Sequence, residues 1–170
     1  MKDQTTGQPR TVPGTSATTP DRIGAALVPT LLLADADEDA CAMLRDALLE
    51  GTGPCHLRTV ASARELGDYL GHANGHADER TNPRPALIVI DAELPGNEDL
   101  DAVRAIKSNP GLRSTPVVLL ARHPEPAAIQ KAYDAGVNTV IPKPVTFLAL
   151  VKLIKVFTAY WLEAAALPRP

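Results

Sequence analysis

Asp35, Asp91 and Lys143 each come at or just after the end of a short aliphatic run in the sequence. A carboxylate can attack phosphorus, and a nearby ammonium group can neutralise charge on the group that is transferred. If the three runs end at one place in the fold, these residue types predict acyl-phosphate formation on Asp91. The alternative is an ordinary network of ion pairs with no chemistry of its own.

Short apolar runs without alternation must position these side chains. Runs of this kind are typical of parallel strands that are covered on both faces. The carboxyl ends of such strands form the crevice in which open α/β sheets bind ligands, so Asp35, Asp91 and Lys143 are predicted to share one edge of the sheet. The predicted strands cover residues 30–34, 56–60, 86–91, 116–121 and 137–141. The second is of mixed polarity, which favours a position near the sheet edge.

Stretches with apolar residues at helical spacing separate the strands. Ser62 can cap the second helix, with Glu65 at the capping-box position, and Gly136 closes the fourth. The predicted helices cover residues 37–50, 63–72, 99–107, 125–135 and 147–165. Right-handed crossovers between alternating strands and helices predict an α/β fold, a doubly wound, five-stranded parallel sheet with helices on both faces.

The composition bounds the domain organisation. The chain has 170 residues and a formal net charge of −3, which gives no electrostatic footprint for nucleic acid. Residues 1–29 are poor in apolar residues and are predicted to be a disordered arm before a domain over residues 30–170. Lys152 and Lys155 interrupt the most apolar segment, and no signal peptide is recognisable, so we expect a cytoplasmic protein without a membrane partner.

Asp35 and Asp91 would repel each other if nothing lay between them. Crowded carboxylates are usually relieved by a divalent cation that prefers oxygen ligands, and Mg²⁺ is the prediction here. A flavodoxin-like enzyme or nucleotide-binding protein would instead need a glycine-rich loop after the first strand. The sequence there, residues 35–38, is acidic, so we set that class aside.

Four motifs together resemble the receiver domain of two-component response regulators. They are residues 31–35, residues 87–96, residues 116–120 and Lys143-Pro144, and the resemblance extends over residues 30–165. It implies a flavodoxin-like fold and a signalling role by protein docking rather than an enzyme. It also implies that a histidine kinase or phosphotransfer protein donates phosphate to Asp91.

The same resemblance implies roles for the neighbouring residues. Lys143 would bind the phosphoryl group, and the Lys143-Pro144 peptide bond would be cis. The ligands of Mg²⁺ would be Asp35, Asp91 and the backbone carbonyl of Glu93.

Three positions depart from the family pattern. Ala36 stands where a second acid is the direct metal ligand, so Mg²⁺ binding is expected to be weak. Asp37 is a nearby acid that could replace it, although the next position along a turning backbone generally points elsewhere. Ala121 replaces the hydroxyl residue that contacts the phosphoryl group, and Val140 replaces the aromatic residue of the switch. These departures favour an alternative function, a degenerate receiver that acts as a phosphorylation-independent binding or dimerisation module.

The last predicted helix is apolar around most of its circumference, more than one sheet face covers. The surplus predicts a homodimer, with shielding by the arm or by loops as the alternative. The sequence from Phe157 to Trp161 resembles the C-terminal signature of regulators paired with phytochromes, which implies a phytochrome-type histidine kinase as partner. The predicted interface residues are Phe147, Leu150, Ile154, Phe157, Tyr160 and Trp161.

Overall fold

Five short strands form the centre of the fold. The computed structural model describes residues 28–51, 55–78, 80–97 and 100–167. Two strands have the predicted bounds and the other three differ from them by one or two residues. The strands are β1 (Thr30–Ala34), β2 (His56–Val60), β3 (Leu87–Asp91), β4 (Val117–Ala121) and β5 (Thr139–Pro142).

The strands pair in the order β2-β1-β3-β4-β5, and every neighbouring pair is parallel. The order reverses beside β1, because the chain first adds β2 on one side and then returns to add β3 on the other. This arrangement confirms the predicted doubly wound sheet. It also confirms the edge position of β2, and β5 forms the opposite edge.

Helices connect the strands, and the last one differs from its prediction. The helices are α1 (Glu38–Gly51), α2 (Ala63–Leu70), α3 (Asp101–Ser108), α4 (Pro126–Asp134) and α5 (Phe147–Thr158), followed by a π-helix (Ala159–Ala164). One helix over residues 147–165 was expected, but the α-helical pattern stops at Thr158. Its hydroxyl donates to the carbonyls of Ile154 (2.7 Å) and Lys155 (3.3 Å). Such contacts between a hydroxyl and the preceding turn often bend helices.

The helices cover both faces of the sheet. On one face, buried residues of α2, α3 and α4 pack on Leu32, Ile88 and Leu119. On the other face, α1 and α5 pack on the alternate strand residues, including Leu33 and Val89. Both faces of the central strands are therefore apolar, as their unbroken runs predict.

The N-terminus of α2 has the predicted cap. The Ser62 hydroxyl accepts the N–H of Glu65 at 3.2 Å, and the Glu65 carboxylate accepts the N–H of Ala61 at 2.7 Å. The first contact satisfies a donor that the first helical turn leaves unpaired, and the second ties the residue before the cap to the helix.

Some predictions concern residues outside the described ranges. The arm over residues 1–29 falls almost entirely in this part of the chain, and so does residue 99, the expected start of the third helix. Within the described ranges, none of the helices has the length and apolar character needed to cross a membrane.

Candidate functional site

The structure brings the three predicted side chains together at the carboxyl edge of the sheet. The Lys143 ammonium donates to Asp35 Oδ2 at 2.7 Å and to Asp91 Oδ2 at 2.6 Å. Asp35 and Asp91 are only 4% and 5% exposed, although both are acids. Burial of two carboxylates is tolerable because an ammonium group lies between them.

Backbone pairing sets this geometry. β1 and β3 are neighbours, with Ala34 opposite Ile90, so the residues that follow them leave the sheet side by side. The backbone N–H of Lys143 donates to the carbonyl of Ala121 at 2.9 Å, which ties the start of the next loop to the end of β4.

The prediction of a cis peptide bond between Lys143 and Pro144 is wrong. Across the described residues every peptide bond is trans. The trans isomer is the more stable one even before proline. Lys143 reaches both carboxylates from a trans backbone.

The second oxygen of each carboxylate also has a donor. Asp35 Oδ1 accepts the backbone N–H of Asp37 at 2.9 Å, and Asp91 Oδ1 accepts the backbone N–H of Glu93 at 3.2 Å. All four carboxylate oxygens are therefore engaged. The loops after β1 and β3 therefore help Lys143 to orient the two acids.

The directions of the pKa shifts in the pocket follow from burial and from the charges of the three side chains. Burial disfavours the charged form of Lys143, but its hydrogen bonds to Asp35 and Asp91 outweigh this effect and raise its pKa above the ordinary value. Burial also raises the pKa of Asp35, assisted by the charge of Asp91 and only partly offset by the hydrogen bond from Lys143. One ammonium group thus serves two carboxylates, which leaves a net negative charge inside the pocket.

Comparison with known proteins decides the family. The profile of the response regulator receiver domain matches residues 31–155. The chain belongs to this family. Receiver domains are signalling proteins of two-component systems, and the match confirms the predicted flavodoxin-like receiver fold.

Several relatives of this receiver are phytochrome or red-light regulators. Response regulator Rcp1 of Synechocystis sp. is 32% identical over 112 residues, which are 66% of this chain and 69% of Rcp1. The crystal structure of the phosphorylated cyanobacterial phytochrome response regulator RcpA is 29% identical, with a TM-score of 0.76, and the match covers 84% of this chain and 99% of RcpA. Response regulator RPA3017, in red light signaling of R. palustris, is 25% identical with a TM-score of 0.77, over 84% of this chain and all of that one.

The donor chemistry of the pocket fits Mg²⁺, but with fewer ligands than is usual. Asp35 and Asp91 supply the carboxylate oxygens that hard cations prefer, whereas Ala36 supplies none. Asp37, the nearby acid, has one oxygen engaged elsewhere, because its Oδ1 accepts the N–H of Ala40 at 3.0 Å and caps α1. That hydrogen bond is also the main reason why the pKa of Asp37 is lowered. Within the described ranges, no three His, Cys or acidic side chains converge as a metal site would require.

The degenerate switch positions Ala121 and Val140 are apolar residues, and the structure places both among other apolar side chains. Ala121 is 7% exposed at the end of β4, and Val140 on β5 packs against the core beneath α2, α3 and α4. A methyl group at residue 121 cannot donate a hydrogen bond to a phosphoryl group.

Arg122, which sequence analysis missed, lies at the mouth of the pocket. Its guanidinium is 3.9 Å from the carboxylates of both Asp37 and Glu93. The signal that could have found it is its position directly after β4, at the edge where the site forms.

The C-terminal helix contradicts part of the predicted dimer interface. Leu150, Ile154 and Phe157 are 9%, 4% and 7% exposed and belong to the core formed with α1 and the sheet. They are not available to a second chain, so their assignment to an interface is wrong. Phe147 remains 41% exposed. At the other end of the helix, Tyr160 is 59% exposed and its ring meets that of Trp161 edge to face, with the ring centres 5.0 Å apart.

Proposed function

We propose that this receiver accepts a phosphoryl group on Asp91 from a histidine kinase and signals by docking onto another protein. The observation that carries the proposal is the buried Asp91 carboxylate with the Lys143 ammonium 2.6 Å from its Oδ2. RcpA supports it, since that regulator is known in a phosphorylated form. The kinship with Rcp1 and RcpA favours a kinase of the phytochrome type.

The transfer step would use the nucleophile and cation that the pocket holds. An oxygen of Asp91 forms a bond to phosphorus while the bond from phosphorus to the donor histidine nitrogen breaks. The donor imidazole leaves with that electron pair and takes a proton from solvent. Lys143 neutralises charge on the transferred group, which otherwise meets two carboxylates.

We infer that Mg²⁺ binds weakly at this site, with Asp35, Asp91 and the backbone carbonyl of Glu93 as its ligands. When bound, it neutralises further charge on the transferred group. A Mn²⁺-bound form of the relative Rcp1 supports a divalent cation as the ligand. The absence of a carboxylate at Ala36 supports the weakness, because the number of charged ligands tunes the affinity of such sites.

Chemical labelling tests phosphorylation. The full chain is incubated with acetyl phosphate and Mg²⁺, and label that hydroxylamine removes is counted. Wild type should take up label and Asp91→Asn should not. Asp101→Asn is the matched control, because Asp101 is an exposed acid at the start of α3, and it should label normally. Unlabelled wild type, or equal label on Asp91→Asn, would refute the proposal.

The Mg²⁺ dependence of labelling tests the weak metal site. Ala36→Asp should shift the dependence to lower Mg²⁺ concentrations, and calorimetric titration should show tighter Mg²⁺ binding. Ala127→Asp adds the same charge at an exposed position of α4 and should leave both curves unchanged. An unchanged Ala36→Asp protein would mean that the missing acid is not what limits binding.

A second candidate function is a binding module that works without phosphate. Ala36 and Ala121 favour it, because a methyl group can neither bind a cation nor donate a hydrogen bond to a phosphoryl group. In that case Asp91→Asn should bind its protein partner with unchanged affinity. A large change in affinity would count against the module.

We also propose a homodimer that uses the exposed ends of the C-terminal helix. Phe147, Tyr160 and Trp161 remain from the predicted interface, and Leu148 and Val156 add apolar surface that is 65% and 70% exposed. Exposed apolar side chains mark interaction surfaces where they form a contiguous patch, and the proposed dimer would bury these five against a second copy. Sedimentation of wild type and Tyr160→Ser would test this, and a monomeric wild type would exclude it.

A further inference from the structure

Arg122 bridges the entrance of the pocket without being buried in it. Its Nη2 is 3.9 Å from Asp37 Oδ2, and its Nε is 3.9 Å from Glu93 Oε2. The side chains of Arg122, Asp37 and Glu93 are 54%, 45% and 64% exposed. Ion pairs of this length and exposure are weak, so they keep the guanidinium near the pocket without fixing it there.

The backbone brings Arg122 to the level of Glu93, just beyond Asp91. Leu120 is the register partner of Asp91, so Arg122 lies two residues beyond that partner, just as Glu93 lies two residues beyond Asp91. The N–H of Ala92 donates to the carbonyl of Leu120 at 2.7 Å and continues the pairing past the strand end. The long arginine side chain therefore starts just past the end of β4, at the level of the loop that follows Asp91.

Negative charge around the pocket exceeds positive charge. In the described part of the chain, the acids at and around the pocket outnumber the cations by four to two, with Asp35, Asp37, Asp91 and Glu93 against Lys143 and Arg122. A phosphoryl group would add between one and two further negative charges at neutral pH. Lys143 is already shared by both buried carboxylates, so Arg122 is the cation with the weaker present contacts.

We propose that Arg122 binds the phosphoryl group on Asp91 and compensates for the missing hydroxyl at Ala121. This assignment rests on the proposed phosphorylation of Asp91. The guanidinium would leave Asp37 and Glu93 and donate two hydrogen bonds to phosphoryl oxygens, a geometry that suits its paired N–H groups. Its departure would also leave two unpaired acids at the mouth of the pocket. Phosphorylation would thereby change the charge that a docking partner meets.

Labelling kinetics test the assignment. The full chain is labelled with acetyl phosphate, and the rate of labelling and the half-life of the label after removal of the donor are measured. Arg122→Ala should label about tenfold more slowly and lose its label faster, because it lacks a charge-assisted donor. The labelling rate and the half-life of the label in Arg122→Lys should lie between those of wild type and Arg122→Ala, since lysine keeps the charge but not the paired donors.

A matched arginine controls for general effects of charge. Arg104 is 48% exposed and lies 3.5 Å from Asp101 within α3, away from the pocket. Arg104→Ala removes the same charge from a similar ion pair, so it should keep the wild-type rate and half-life. A slow Arg104→Ala protein would assign the effect to net charge and overturn the role of Arg122.

The NMR signal of the Arg122 side chain tests whether the guanidinium contacts the phosphoryl group, independently of the labelling rates. The Nε–H signal of Arg122, assigned by its absence in Arg122→Lys, should move when wild type is labelled and stay in place for Asp91→Asn. Circular dichroism checks that the variants are folded, and if Arg122→Ala is not, the lysine variant and the signal decide.

The outcomes distinguish this assignment from the proposed function. Wild-type kinetics in a folded Arg122→Ala protein, or an unmoved Arg122 signal in labelled protein, would overturn the role of Arg122 and leave phosphorylation of Asp91 intact. Wild type that takes no label would overturn phosphorylation and the assignment with it.

Discussion

Two lysines lie at opposite edges of the same sheet and meet very different partners. At the carboxyl edge, Lys143 donates to the carboxylates of Asp35 and Asp91. At the amino edge, Lys107 of α3 donates to neutral oxygens, at 2.8 Å to the carbonyl of Thr115 and at 3.0 Å to the side chain of Asn138. Both ammonium groups are partly withdrawn from water, but only one of them has a counter-charge.

Their pKa shifts have opposite signs for this reason. Burial lowers the pKa of Lys107, and its neutral acceptors do not reverse the effect. Two carboxylates do reverse it for Lys143. A half-buried lysine with neutral acceptors, such as Lys107, has a structural role, because its hydrogen bonds join neighbouring segments of the chain. We call the contacts of Lys107 with Thr115 and Asn138 the Lys107 clasp. A lysine between two buried carboxylates, such as Lys143, instead marks a candidate functional site, because groups with shifted pKa values cluster at such sites.

The largest expected effect is that of Lys143→Met. The variant leaves two buried carboxylates without a counter-charge, so the free energy of unfolding should fall by about 3 kcal/mol at pH 8. The loss should be smaller at pH 5, where a carboxyl group can take up a proton. Urea denaturation measures both values. Lys152→Met, which removes an exposed lysine of α5, is the control and should be near wild type. If Lys143→Met lost no more unfolding free energy than Lys152→Met, the burial of the two carboxylates would not require the charge of Lys143.

Lys107→Met should have a smaller effect on stability and none on labelling. It removes hydrogen bonds from partly buried carbonyl oxygens but leaves no unpaired charge, so a loss of about 1.5 kcal/mol is expected. Urea denaturation and acetyl phosphate labelling are measured on the same protein. Loss of label in Lys107→Met would show that the amino edge of the sheet influences the site at the carboxyl edge. It would contradict the purely structural role of Lys107.

Gly136→Ala tests how closely the clasp is packed. Gly136 has a φ of +98°, and an added Cβ would lie 2.9 Å from Cγ of Lys107. The unfavourable backbone region and the contact should together cost about 1 to 2 kcal/mol. In a Lys107→Ala background the 2.9 Å contact with Cγ disappears and the Cβ of residue 107 remains at 3.4 Å, so the second substitution should cost less. Equal costs in both backgrounds would assign the whole effect to the backbone.

The smallest effect is the pH dependence of stability in alkaline solution. A raised folded-state pKa means that the stabilisation by Lys143 is complete below the ordinary value of 10.5 and is lost as the pH rises through the folded value. For Lys107 the folded pKa is lowered, so stability rises with pH between that value and 10.5. Between pH 8 and 10.5, the free energy of unfolding of Lys107→Met should therefore no longer rise with pH, whereas that of Lys143→Met should still rise. The reverse result would contradict the directions of the pKa shifts of both lysines.

Sequence analysis succeeded where one residue and its immediate neighbours determine the outcome. Buried parallel strands need unbroken apolar runs, so residues 30–34 could be assigned from the text alone, and the acid that ends such a run is forced to the crevice. The clasp of Lys107 could not be predicted in this way. Its acceptors lie 8 and 31 residues away and include a backbone carbonyl, which has no signature in the sequence.

The error at the C-terminal helix has a different cause. Periodicity shows how much of a helix is apolar but not what covers it. Leu150, Ile154 and Phe157 pack against α1 as well as the sheet, so the chain itself buries more of α5 than one sheet face would. The place of Arg122 depends on Asp37 and Glu93, which come from two other loops, and a single position after β4 does not reveal those contacts.

The strands at the two edges of the sheet limit how copies of the protein can associate. β2 has five residues, including the half-buried Arg58, and β5 has four and ends in Pro142, which has no N–H to offer. Short outer strands with charge or proline resist growth of a sheet from one molecule into the next. Even at high concentration, this receiver should not polymerise through its backbone, so any specific assembly has to be made by helix surfaces.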